Sequence, residues 1–170
     1  MPKTPPRIDS LAEAHRQWAT HYSEKAARGL STVSSLARAA HLLRAGAEDA
    51  LSPFRITFNQ FELLTLLAWT RSGGLPMSKI SSRLHVPPAS LTHTVHRLEK
   101  EGLVARTPSK HDRRSTLVSI TDQGIALAAS AGPVLSRYFE EIDLTEQQHR
   151  QVVDTTAALR RAAGEFVEEP

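Results

Sequence analysis

Between residues 76 and 124 the chain is punctuated so closely that few architectures can accommodate it. Ser78 can cap a short helix over 79–85, with Ile80 and Leu84 on its inner face. Val86-Pro87-Pro88 breaks that helix, and proline fits the first turn of a following one, where its missing amide would have had no partner. The second helix runs from about Pro88 to Glu101 and stops at Gly102. Leu91, Val95 and Leu98 recur at i, i+4 and i+7 and point inward, leaving Ser90, Thr92, His93, His96 and Arg97 on other faces. Two short β-like runs follow, 103–107 and 116–120, the second alternating. Between them the loop Pro108-Ser-Lys-His-Asp-Arg-Arg-Ser115 holds Lys110, Arg113 and Arg114.

Helix, tight break, helix, strand, basic loop, strand is the plan of a winged helix-turn-helix. The second helix suits the width of a DNA major groove. The wing carries cations toward phosphates or the narrow minor groove, and arginine serves there because its planar fork grips two oxygens and is weakly hydrated. Charge follows the same plan. Residues 79–114 carry eight Lys/Arg against three Asp/Glu, a net +5, and four of the eight histidines. Residues 139–170 carry three against eight, a net −5. A basic centre with an acidic tail suits a polyanion-binding module joined to another part, although a solvated face gives the same count.

The rest of the chain reads as a helical frame. One helix is expected from Asp9, capped by Asp9 or Ser10, with Leu11, His15, Trp18 and Tyr22 at helical spacing and Gly29 as its end. A second stripe, Val33, Leu36, Ala40, Leu43, Ala47 and Leu51, closes at Ser52-Pro53. Thr57 caps a third helix so rich in leucine that it should be central, with Trp69 in the core, before a stop at Ser72-Gly73-Gly74. Leu75-Pro76-Met77 has room only for an edge strand or extended arm. After the wing, Thr121-Asp122 starts an alanine-rich helix that Gly132-Pro133 should kink or break. Thr145 caps the last helix, whose stripe is His149, Val152, Val153, Thr156, Leu159, Ala163 and Phe166.

Length and composition add exclusions. A chain of 170 residues is one compact unit, with at most an appended segment. Without cysteine there is no disulfide, thiolate metal site or thiol sensor. No apolar run approaches the ~18 residues of a spanning helix, and the proline- and charge-rich start is no secretory signal, so a cytoplasmic protein without a membrane partner is expected. No glycine-rich phosphate loop, Gly-x-Ser-x-Gly elbow or zinc-ligand pair with a nearby glutamate points to an enzyme. His93 and His96, three apart, would make half a metal site, but on a groove-facing helix they suit base or phosphate contact, and neither metal nor cofactor is expected.

The residues Ile80-Ser81, Leu84, Val86, Leu91-Thr92, Val95, Leu98-Glu99, Gly102-Leu103-Val104, Arg106, Asp112-Arg113-Arg114-Ser115, Val118, Ile120-Thr121 and Gly124 resemble the MarR family of transcriptional regulators. The likeness is strongest over 57–124, and the flanking long helices extend it over nearly the whole chain. It implies a mainly α fold with a small β wing: N-terminal dimerisation helices over 1–54, a winged module over 55–124 and C-terminal dimerisation helices over 125–170. It implies a homodimer with two winged modules on a palindromic site in double-stranded DNA, acting as a ligand-responsive repressor. Arg114 then enters the minor groove, Asp112 holds the wing's geometry and Arg113 touches phosphate. An added N-terminal helix bearing Trp18 resembles the family's urate-responsive subgroup, in which a tryptophan, an acid and two arginines form a ligand site. Trp18, Glu62 and Arg106 match three of those positions, while Thr94 stands at the fourth. The implied effector is a small aromatic or carboxylated molecule; the alternative, that Trp18 simply packs against the dimer helices, is the plainer reading.

Overall fold

The computed structural model describes residues 9–70, 74–108 and 116–165. They divide between two compact units, Met1–Leu135 and Ser136–Pro170, with the boundary inside one helix. Helix α1, Ser10–His21, starts at Asp9, whose carboxylate accepts the Leu11 amide. It ends eight residues before Gly29. Ser23 then caps α2, Glu24–Leu51, by accepting from the Ala26 amide, and α2 runs straight through Gly29. One glycine costs a helix about 1 kcal/mol relative to alanine, which is too little to stop 28 residues that are otherwise helix-compatible. His15 ties α1 to α2, its Nδ1 meeting Ser31 Oγ at 2.9 Å and its Nε2 meeting Glu24 Oε1 at 3.1 Å.

A 3-10 turn, Ser52–Phe54, leads to α3, Phe58–Ala68, which opens on a reciprocal cap between Thr57 and Gln60. Leu63 and Leu64 are fully buried and Leu67 nearly so, which makes α3 the central helix its sequence suggests. Trp69 is a correction. It is the C-cap residue rather than a member of the stripe, and at 82% it is the most exposed large apolar residue described.

The winged module follows as β1 (Leu75–Pro76), α4 (Met77–Leu84), α5 (Pro88–Lys100), β2 (Val104–Pro108) and β3 (Thr116–Ile120). Helix α4 begins one residue before Ser78, after an extended Pro76, so Ser78 is not its cap. The sheet is antiparallel in the order β1-β3-β2, with Leu75 opposite Val118 and Val104 opposite Ile120. Ile80, Leu91, Val95, Leu98, Leu103, Val104 and Val118 form its core. Thr121 closes the sheet onto α6, Asp122–Glu140: its hydroxyl donates to the Gly102 carbonyl and accepts from the Gly124 amide. Gly124 admits no side chain, because a Cβ there would meet the Leu103 carbonyl oxygen at 2.2 Å. Helix α6 continues through Gly132-Pro133, so of the kink or break expected there the break does not occur. Thr145 caps α7, Glu146–Ala162, through a second reciprocal pair with Gln148.

Candidate nucleic-acid interface

Serine 81 builds the turn between α4 and α5. Its carbonyl accepts from the Val86 amide at 3.2 Å and from the His85 amide, and its hydroxyl donates back to the Val86 carbonyl at 2.7 Å. His85 takes up the left-handed conformation, φ 50°, that lets the chain reverse, and histidine tolerates it better than most residues. Pro87 and Pro88 then start α5. Leu91, Val95 and Leu98 seal its inner side, and Ser90, Thr92, His93, His96 and Arg97 are all exposed. The Thr92 hydroxyl donates to the Pro88 carbonyl, so it presents its methyl and an acceptor oxygen outward. Arg97 is held by Glu101 one turn on, Nε to Oε1 at 3.2 Å.

The wing strands pair out to Pro108 opposite Thr116. Lys110, Asp112, Arg113 and Arg114 lie outside the described residues. At the wing's root, Arg106 places Nε 2.8 Å and Nη2 2.5 Å from one oxygen of Glu99. That hydrogen bond holds the Glu99 carboxyl below its ordinary range. The pair is exposed, so its energetic weight is small. Its consequence is geometric: the wing's first strand is fastened to α5. A cavity of about 530 Å³ lies beside it, lined by Ser78, Ser81, Leu91, Thr92, Arg106 and Thr116 among others. Trp18 and Glu62 do not line it. Trp18 stacks on Tyr22 with ring centroids 4.6 Å apart. Glu62, half-buried on α3, has its carboxyl pKa raised by desolvation, against the opposing attraction of Arg44. Among the described residues no cluster of three His, Cys, Asp or Glu is placed to hold a metal.

This arrangement can be compared with known proteins. The MarR family model matches residues 56–116. Sco5413, a MarR family transcriptional regulator from Streptomyces coelicolor, is 35% identical, with a TM-score of 0.74 over 83% of this chain and 99% of its own. The chain belongs to the MarR family of transcriptional regulators. The HTH-type transcriptional repressor MdtR of Bacillus subtilis is 34% identical over 106 residues, 60% of this chain and 67% of the relative. Sco3205 of Streptomyces coelicolor, a MarR family regulator solved in complex with DNA, shares the fold at 23% identity and a TM-score of 0.72, over 78% of this chain and 88% of its own. No helix among the described residues is long and apolar enough to cross a membrane.

Within this MarR frame the structure adds a residue that the sequence did not single out. Arg55 caps the 3-10 turn in the left-handed conformation, φ 57° and ψ 28°, with its amide donating to the Ser52 carbonyl. A residue with a Cβ gives up about 1 kcal/mol there. Its guanidinium has no partner among the described residues. It lines a second cavity, of about 500 Å³, together with Phe54, Arg97, Glu101, Leu103 and Gln123 among others. Only the αL backbone marks Arg55 out, and sequence patterning does not reveal an αL arginine.

Proposed function

We propose that this chain is a repressor that binds a palindromic operator as a homodimer and is released by a small aromatic or carboxylated inducer. The observation that carries the DNA reading is the exposed polar face of α5, set beside a wing root that Arg106 fastens to it. Ser90, Thr92, His93 and His96 would meet base edges or phosphates, Arg97 a phosphate, and Lys110, Arg113 and Arg114 the backbone and minor groove beside them. Asp112 would brace the wing.

Dimerisation is supported by apolar surface that the described chain leaves uncovered. Helix α7 buries no residue, yet Val152, Val153 and Leu159 follow one stripe. Helix α2 likewise exposes Val33, Leu42 and Leu43. Repression is supported by the named role of the Bacillus relative. For the inducer, Arg106 at the wing root is the anion-binding candidate, and a carboxylate must displace Glu99 from it; Trp18 and Glu62 lie outside the cavity there. Sedimentation should give twice the 18.7 kDa chain mass. Footprinting on genomic fragments should give two protected half-sites about one helical turn apart. A monomer that protects a single half-site would refute the proposal.

A further inference from the structure

We propose that Ser31 is a nucleophilic serine, activated by His15 and Glu24, that takes up an acyl group from an uncharged activated ester. The site lies on the α1–α2 hairpin rather than on α5, and it does not depend on the DNA reading.

Three side chains from two helices stand in line. The Ser31 hydroxyl lies 2.9 Å from His15 Nδ1, and Glu24 Oε1 lies 3.1 Å from His15 Nε2. An ionised carboxylate only accepts, so in the neutral ring Nε2 carries the proton and Nδ1 accepts the Ser31 hydroxyl proton. A hydroxyl bonded to a base that a third group orients is the arrangement of an activated nucleophile. Its neighbour on the helix behaves differently: Thr32 donates to the Arg28 carbonyl one turn back at 3.0 Å, whereas Ser31 reaches across to α1. Glu24 also approaches Arg28, but only to 4.0 Å, so His15 is its nearer partner.

Ser31 opens onto a groove of about 340 Å³ that His15, Leu11, Ala12 and Ser35 also line. The groove's two charged residues are of opposite sign, and both are engaged: Asp9 accepts the Leu11 amide and Arg16 is paired with Glu13. The groove therefore favours an uncharged acyl donor. Ser35 follows Ser31 by one turn on the same face of α2, and its hydroxyl has no partner among the described residues. It can donate to the oxyanion that develops as Ser31 attacks. The chain has no cysteine, so no thiol competes for the acyl group.

In the step, Ser31 Oγ attacks the ester carbonyl carbon and its proton passes to His15 Nδ1. The bond from that carbon to the leaving oxygen breaks, the leaving group takes the proton from His15, and an ester remains on Ser31. The modification is stoichiometric. Helix α2 is continuous through Ser31, so its amides are engaged with carbonyls one turn back and form no fixed oxyanion hole. A phenolate leaves readily without one, but the Ser31 alkoxide does not, and the ester persists. Acylation removes the proton that His15 accepts, so His15 loses one of its two bonds to α2.

The test treats the full chain with p-nitrophenyl acetate and follows it by intact mass and peptide mapping. One acetyl group per chain should appear on Ser31, about a hundredfold faster than on Ser34, a half-buried serine of the same helix that bonds no histidine. His15→Ala should abolish that preference. Glu24→Gln, which leaves both helices their caps, should slow Ser31 by about tenfold or more. Ser35→Ala should slow it by about tenfold. Hydrogen exchange of the α1 amides should quicken once Ser31 is acetylated. Labelling of Ser31 no faster than of Ser34, an undiminished rate in Glu24→Gln, or steady release of p-nitrophenolate with no acetyl group on Ser31 would each overturn the proposal. Unchanged exchange in α1 would overturn the loosening of the hairpin.

Discussion

Replacing Gly124 with alanine sets two backbone effects against each other, and the structure says which wins. Alanine in a helix gains up to about 1 kcal/mol over glycine, and less in a first turn such as this. Against that, the new Cβ would lie 2.2 Å from the Leu103 carbonyl oxygen and 2.7 Å from Ile120 Cγ1. A carbon and a carbonyl oxygen normally approach no closer than about 3.3 Å, so sheet and helix must part by about 1 Å. The Leu103 oxygen also accepts the Thr121 amide at 3.1 Å, and moving it weakens a bond worth about 1 kcal/mol. Overpacking of this kind costs about 1–3 kcal/mol, so the net loss should be about 2 kcal/mol. In urea denaturation at fixed protein concentration, the midpoint should fall by on the order of 1 M with the slope unchanged. Gly29→Ala is the matched control: nothing lies within 4 Å of its Cβ position on α2, and it should stabilise by up to about 1 kcal/mol. A Gly124→Ala protein as stable as the wild type would refute the close approach of sheet to helix.

Arg114→Ala should weaken operator binding by about 1–3 kcal/mol and relax specificity next to the major-groove site, measured by gel shift on the operator and on scrambled DNA. Arg97→Ala should weaken both DNAs about equally and lower the salt slope by about 2, one phosphate being lost in each subunit. Glu62 should contribute a pH dependence of opposite sign to that of an ordinary ion-paired carboxylate. Burial raises its folded pKa, so the folded state holds the proton more tightly and stability falls as pH rises through the carboxylate range. Glu62→Gln should therefore be more stable than wild type at neutral pH, with the advantage vanishing in acid; an advantage that persists in acid would mean another cause.

The winged module was legible because its boundaries are set by residues with few backbone options. Pro87-Pro88 and Gly102 fix the ends of α5, and Leu91, Val95 and Leu98 fix its inner face. The caps at Thr57 and Thr145 were legible for the same reason. The structure departs from the sequence pattern where a residue's propensity does not coincide with a boundary. Gly29 and Pro133 both lie inside helices, whereas the real break after α1 comes at Ser23, a cap with no glycine beside it. The apolar stripe that points Trp69 toward the core extends one residue past the end of its helix. In the site, the exposed face of α5 follows directly from the positions of its buried residues. The Glu99–Arg106 pair does not, because its partners are seven residues apart across a turn and meet only once β2 folds back along α5. Arg55 was hidden for a different reason: its conformation is set by the 3-10 turn before it.

The central claim is that α5 and the wing form a DNA-binding face in each of two identical subunits. The most direct measurement is the affinity of the full chain for its operator as a function of salt, with a variant carrying both Arg97→Ala and Arg114→Ala in parallel. Counterion release from two basic modules should make the logarithm of the affinity fall linearly and steeply with the logarithm of salt concentration. The double variant should bind more weakly, with a slope shallower by about 2–4, one or two phosphates being lost in each subunit. An affinity independent of salt, or a double variant with the slope and affinity of the wild type, would contradict the claim.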